Sequence, residues 1–299
     1  MEDNKTYCTC RDRACPMNPV NHDKGCTPCI NKNLALGEIP NCFFNKVTDD
    51  LDSVASFTME GFAAEVEKRK KEDRKKRIGM MVAVEIDSVV GKYGAPLVEH
   101  DSFGFKVYEY DVNGIRLFVV HSGAGEIAAA AATQLLITHY GVEAVVNFGV
   151  VGGLTDEMKL ARTVVVERVV HYDFDTSALD NCRVGRYMNY PDVYIPLSRD
   201  LVARALEVEP SLKAVTCASG DKFVADPEAK RRLAAEFDAD ICEMELAAIA
   251  MTCDRCGVPC VALKTVSDGI EGGAEEFSRC VRESGDICLR VTEKIMAQL

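Results

Sequence analysis

A chain of 299 residues, 47% hydrophobic and 27% charged, is long enough to bury a full core and allows one large domain with a small companion. Its net charge of −12 excludes a general phosphate-backbone binder, which needs a basic footprint, so no nucleic acid is expected as a partner. No run approaches the ~20 apolar residues of a bilayer span, and the polar start from Met1 to Cys10 has no secretory apolar core, so no membrane partner is expected and the chain reads as cytoplasmic.

Residues 1–47 are rich in Cys, Asn and Pro and poor in apolar periodicity. Six of the fourteen cysteines lie here, Cys8, Cys10, Cys15, Cys26, Cys29 and Cys42, with His22 among them. A segment this short normally needs a metal or disulfides to hold its shape. In a reducing compartment, clustered thiols point to metal or redox work. Cys26-Thr27-Pro28-Cys29 supplies a CxxC knuckle of the kind zinc sites use, and four thiolates also suit an iron–sulfur cluster; spacing does not separate the two. The eight later cysteines mostly interrupt apolar stretches, where they read as small buried hydrophobes. The pair Cys253 and Cys256 has no second pair nearby and reads as incidental.

Residues 48–76 form a charged helical linker by pattern. Leu51, Val54, Phe57, Phe62 and Val66 stand at roughly helical spacing, and the basic run from Lys68 to Arg77 reads as a solvated face.

From residue 77 to 299 strands alternate with helices. Ile78 to Ile86 is a short apolar strand, and Phe105 to Tyr110 pairs with Ile115 to His121 across an Asn113-Gly114 turn. Helix is predicted for 127–140, 201–208, 227–237, 245–256 and 277–298, and strand for 144–151, 163–171, 214–218 and 260–266. The alternation implies an α/β fold with a mixed central sheet and helices on both faces.

Ligands of α/β sheets sit beyond the carboxyl ends of the strands. Those ends carry Glu85-Ile86-Asp87, Ser122-Gly123-Ala124-Gly125, Asn147-Phe148-Gly149, Ser219-Gly220-Asp221-Lys222-Phe223, Glu243-Met244-Glu245 and Ser267-Asp268-Gly269. None is a cluster of Arg or Lys, so the rim suits a neutral, hydroxyl-rich or cationic ligand and not a polyphosphate. The glycines after Ser122 lack the third glycine and the acidic partner of a dinucleotide fingerprint.

Taken in order, these stretches resemble the nucleoside phosphorylase/nucleosidase superfamily, and within it the methylthioadenosine/S-adenosylhomocysteine nucleosidases. Arg77-Ile78-Gly79, His171-Tyr172-Asp173-Phe174-Asp175-Thr176 and Gly149-Val150-Val151-Gly152-Gly153-Leu154 join the match, which is collinear over nearly all of 77–299. The resemblance implies a nucleoside phosphorylase-like fold and hydrolysis of a purine N-glycosidic bond without a cofactor. It also implies a small-molecule nucleoside substrate and a homodimer, with 181–191 a candidate for a partner-facing loop.

The resemblance also assigns roles. Cleavage passes through an oxocarbenium-like sugar, so an acid on the leaving base and negative charge near the ribose both help. Asp268 would protonate N7, with Ser267 orienting it, in a water-poor pocket that lets a carboxyl hold its proton. Glu245 would hold the ribose hydroxyls and Met244 would pack on the sugar. Phe223 would cover the base, with the backbone at Val224 reading its edge. Ser122, Gly149 and Glu243 complete the substrate-contacting set. Ungapped alignment puts Asp87 at the water-activating position, with Glu85 the alternative if the register differs by two. A phosphorolytic purine or uridine phosphorylase and a non-catalytic nucleoside sensor are the competing readings. The acidic loop after the first strand, without Gly or Arg, favours water over phosphate. The first 47 residues resemble small cysteine-rich modules attached to other proteins, with zinc or an iron–sulfur cluster held by Cys8, Cys10, Cys15, Cys26, Cys29 and Cys42 as the expected content.

Overall fold

The computed structural model describes residues 8–73 and 75–299; the first seven residues and Arg74 of the basic run lie outside them. The chain divides into two units, Met1–Lys75 and Lys76–Leu299.

In the first unit, helices α1 (Thr27–Leu36), α2 (Asn41–Phe44) and α3 (Met59–Asp73) follow a single 3-10 turn at Pro19–Asn21. Helix α1 stops at Gly37, whose φ of 69° is the left-handed geometry that favours glycine. The apolar core is small. Phe44 is fully buried, met edge-on by Phe57 at 4.9 Å and Phe62 at 5.4 Å, with Ile39 as the other buried aliphatic. The helix expected within 48–76 begins only at Met59. Before it, Asp50, Ser53 and Thr48 bond their side chains to nearby backbone groups, the local competition that disfavours helix. Thr58 then accepts from Gly61 N and opens the helix.

All six cysteines of this unit are free thiols. Among the described residues no three or more His, Cys, Asp or Glu side chains are gathered to hold a metal ion. The expected ready-made ion site is therefore not formed by Cys8, Cys10, Cys15, Cys26, Cys29 and Cys42. The same six line one cavity instead.

The second unit is built on a ten-stranded mixed sheet. Its strands are β1 (Arg77–Val82), β2 (Val98–Ser102), β3 (Phe105–Val112), β4 (Ile115–His121), β5 (Ala144–Gly153), β6 (Thr163–His171), β7 (Tyr194–Pro196), β8 (Ala214–Ser219), β9 (Ile241–Glu243) and β10 (Cys260–Asp268). The strand order is β10-β6-β8-β9-β5-β1-β4-β3-β2, with β7 on β6 and β10 also pairing β5. The path β5-β10-β6-β8-β9 thus returns to β5 and closes on itself, while β1, β4, β3 and β2 extend outward. Strands β1, β4, β5 and β10 run parallel, as do β6, β8 and β9; the two sets meet through antiparallel β10–β6 and β5–β9 pairings.

Helices α4 (Ile86–Tyr93), α5 (Glu126–Thr138), α6 (Ser177–Asp180), α7 (Arg199–Val208), α8 (Pro227–Phe237), α9 (Leu246–Cys256) and α10 (Gly273–Met296) join the strands. Every residue of β10 is buried, the signature of a strand covered on both faces. Helix α10 lies on β5 and β10, and α5 packs on α9. The fold is the expected mixed α/β sheet of nucleoside phosphorylase type. Sequence periodicity passed over α4 and the short strands β2, β7 and β9, and ran the first strand too long: it ends at Val82, and Ile86 belongs to α4. No helix among the described residues is long and apolar enough to cross a membrane.

Candidate active site

Two strand ends, of β9 and β10, and two helix starts, of α4 and α9, bring carboxylates to a single cleft. Its walls include Glu85, Glu243, Met244, Glu245, Phe223 and Asp268, beside the backbone of Val150 to Gly152. No Arg, Lys or His lines it among the described residues.

Asp268 is the last residue of β10 and 2% exposed. Its Oδ1 accepts from the Ser267 hydroxyl at 3.0 Å, and its Oδ2 lies 2.5 Å from the ammonium of Lys230. Lys230 comes from α8, is fully buried, and also donates to the Gly269 carbonyl at 2.7 Å. Ser267 therefore stands behind the acid and off the cleft wall. The sequence reading missed Lys230. Yet it shares a stripe with Leu233, Ala234 and Phe237 at three-, four- and seven-residue spacing, so the helical period puts this cation on the apolar face.

Glu85 caps the start of α4 and is 5% exposed. Its Oε1 accepts from Val150 N at 2.7 Å and its Oε2 from Val84 N at 3.1 Å. Gly149 makes this placement possible: a Cβ there would come within 2.9 Å of the Glu85 carboxylate. Asp87, placed at this position by ungapped alignment, sits one step into α4 on its exposed side and does not line the cleft. The chain turns into the helix at Glu85, so the carboxylate that enters is the one two residues earlier.

Glu245 precedes α9 and its Oε1 accepts from Gly125 N at 3.0 Å, leaving Oε2 for a ligand. Glu243 accepts from the Glu245 and Leu246 amides and from Lys264 Nζ at 3.3 Å. Lys264 is a lone cation inside the apolar strand β10, 2% exposed. Burial by itself lowers its proton affinity, but Glu243, Glu245 and Glu85 outweigh that and hold it charged. Behind this wall lies Glu126, which accepts from Ser219 Oγ at 2.5 Å and Ala248 N at 2.6 Å. Burial first, and the neighbouring Glu243 second, push Glu245 up to about 7 and Glu126 up to about 8.

Phe223 is half-open to solvent and meets Phe277 of α10 edge-on at 5.3 Å, so the two rings flank the Asp268 end. Val224 is buried in the apolar cluster beneath. Ser122 directs its hydroxyl to the backbone, donating to Gly123 O at 2.8 Å, and does not line the cleft. In the 181–191 segment Tyr187 stacks on Phe174 at 4.0 Å and bonds His171 at 2.7 Å, while Met188 is exposed.

Residues 77–297 match the Phosphorylase superfamily, and residues 2–71 match a domain of unknown function (DUF6485). The chain belongs to the phosphorylase superfamily. Among its relatives, the 5'-methylthioadenosine/S-adenosylhomocysteine nucleosidase of Shewanella denitrificans is 31% identical over 75% of this chain and all of that protein. The aminodeoxyfutalosine nucleosidase of Helicobacter pylori is 29% identical over 75% of this chain and 99% of that protein. The structure of Helicobacter pylori futalosine hydrolase superposes with a TM-score of 0.71 at 28% identity, over 75% of this chain and 98% of that one. A Colwellia psychrerythraea methylthioadenosine/S-adenosylhomocysteine nucleosidase in complex with adenine gives 0.68 at 27% identity, over 76% and 96%.

Proposed function

We propose that residues 76–299 hydrolyse the N-glycosidic bond of a purine nucleoside of the methylthioadenosine or S-adenosylhomocysteine type, releasing the free base and the sugar. The observation that carries this reading is a cleft walled by four carboxyl groups in which, among the described residues, no Arg, Lys or His stands to hold phosphate. The two buried lysines near it, Lys230 and Lys264, already face Asp268 and Glu243. A phosphorylase needs cationic side chains turned toward its phosphate. Negative charge here suits instead the positive charge that develops on ribose as the bond breaks.

Asp268, ion-paired with Lys230, takes up a proton before the chemical step and gives it to the leaving base, held in orientation by Ser267. Glu85, anchored by two backbone amides, takes the proton of the attacking water. Glu245 binds the ribose hydroxyls through Oε2, Met244 packs on the sugar, and Phe223 covers the base. The reaction balances as one water consumed: its oxygen bonds to the sugar C1, one proton goes to Glu85, and the base leaves carrying a proton from Asp268. The solvent then returns the proton from Glu85 to Asp268. The work needs no cofactor. The active form is a homodimer in the cytoplasm, with Met188 in the segment offered to the partner, and residues 1–75 are an appended unit.

The test is incubation with methylthioadenosine, S-adenosylhomocysteine, adenosine and inosine, with and without phosphate, followed by assay of free base. Equal release in both buffers supports hydrolysis. Release that requires phosphate overturns it, and binding without turnover favours the sensor reading.

A further inference from the structure

The six thiols of the first unit converge far more closely than their spread over 35 positions of chain requires. Cys8, Cys10, Cys15, Cys26, Cys29 and Cys42 all line one cavity of about 320 Å³. Three separate segments deliver them: the approach to the 3-10 turn, the start of α1 and the start of α2. None is bonded to another as a disulfide. The apolar core beside them is little more than Ile39 and Phe44 with the rings of Phe57 and Phe62. A unit of this size with so small a core needs another cross-link to hold its shape.

The sulfurs also have partners of the kind that tune a thiolate. Asn33, 9% exposed, donates from Nδ2 to the Cys29 carbonyl at 2.7 Å and reaches Cys29 Sγ at 3.5 Å. Such N–H···S contacts are the outer support of metal-bound sulfur. Lys32 and Asp12 also line the cavity.

We propose that this cavity is the binding site of a polynuclear metal–thiolate centre, two or more iron or zinc atoms linked through sulfur, held by these cysteines. A single tetrahedral ion draws four ligands to ~2.3 Å from one point. Here no three ligating side chains stand that close among the described residues, whereas there are six thiols around a wide opening. A group with several metal atoms fits both the number and the width. Each thiol that ligates releases its proton to solvent. The inference does not depend on the nucleosidase reading.

The test is elemental analysis of the full chain purified without oxygen, with acid-labile sulfide measured on the same sample. Two or more metal atoms per chain support the proposal: iron with sulfide identifies an iron–sulfur cluster, and zinc without sulfide a zinc–thiolate cluster. One metal atom or none per chain overturns it. A variant with Cys8, Cys10, Cys15, Cys26, Cys29 and Cys42 all changed to Ser is expected to lose the metal completely; full metal content in that variant overturns the site. The wild-type ratio stands whether or not the variant's first unit folds, and release of free base reports that residues 76–299 remain intact.

Discussion

The two ends of the cleft balance their charge differently. At one end Asp268 meets a single ammonium, Lys230, at 2.5 Å, one acid to one base. At the other, Glu243, Glu245 and Glu85 face one ammonium, Lys264, and Glu126 lies behind them. Burial first, and the neighbouring Glu243 second, push Glu245 up to about 7 and Glu126 up to about 8, so part of the surplus is carried as protons. In the proposed reaction a balanced pair stands where the base would depart and excess negative charge where the sugar would sit, an arrangement suited to a cationic sugar and unfavourable to an attacking phosphate.

Asp268→Asn breaks the comparison at its balanced end. It removes the acid, and kcat is expected to fall about a thousandfold, within the range general acids contribute; steady-state release of base measures it. Next, Lys230→Met leaves the Asp268 carboxylate buried without a counter-ion and is expected to cost about 3 kcal/mol in denaturant unfolding. Adding Asp268→Asn to that variant should recover part of the loss, which a double-mutant cycle reads directly. At the crowded end, Glu85→Gln is expected to lower kcat about a hundredfold, while Asp87→Asn should change it by less than about twofold, since that side chain is solvated. Equal effects from the two would erase the distinction between the cleft carboxylate and its neighbour.

The smallest effect is on stability against pH. Glu245 and Glu126 bind protons more tightly folded than unfolded, so the folded state holds the extra protons between the ordinary carboxylate range and about pH 8. Their contribution is present below the unfolded value and is lost as pH rises through about 7 to about 8. The melting temperature of the second unit should fall over that window, and Glu126→Gln should flatten the fall. An unchanged slope in that variant would remove Glu126 from the account.

Much of this was legible from strand ends. Ser267-Asp268 follows an apolar run whose length fixes where the backbone emerges, so its place at a cleft followed from the α/β pattern, whereas Glu243-Met244-Glu245 follows the three-residue strand β9, too short to show as a run. The choice between Glu85 and Asp87 was not legible, because it depends on the residue at which the chain turns from strand to helix, and ungapped spacing carries no such mark. Lys230 was obscured by its neighbours Arg231 and Arg232, which make the helix look solvated throughout; only its place in the Leu233 and Phe237 stripe marks it as inward. Lys264 gave a clearer signal, since a cation within a strand buried on every side requires an acidic partner. Residues 8–73 were the least legible region. Sequence gave six thiols and no core, and their closure on one cavity depends on turns that side-chain-to-backbone bonds at Asp12, Asn18 and Asn21 set locally.

The central claim is that water is the nucleophile. Turnover of methylthioadenosine in phosphate buffer, followed by phosphorus NMR, tests it most directly. Free sugar with no sugar 1-phosphate at complete release of adenine is the result expected from this cleft; accumulation of the sugar 1-phosphate in step with adenine would contradict it.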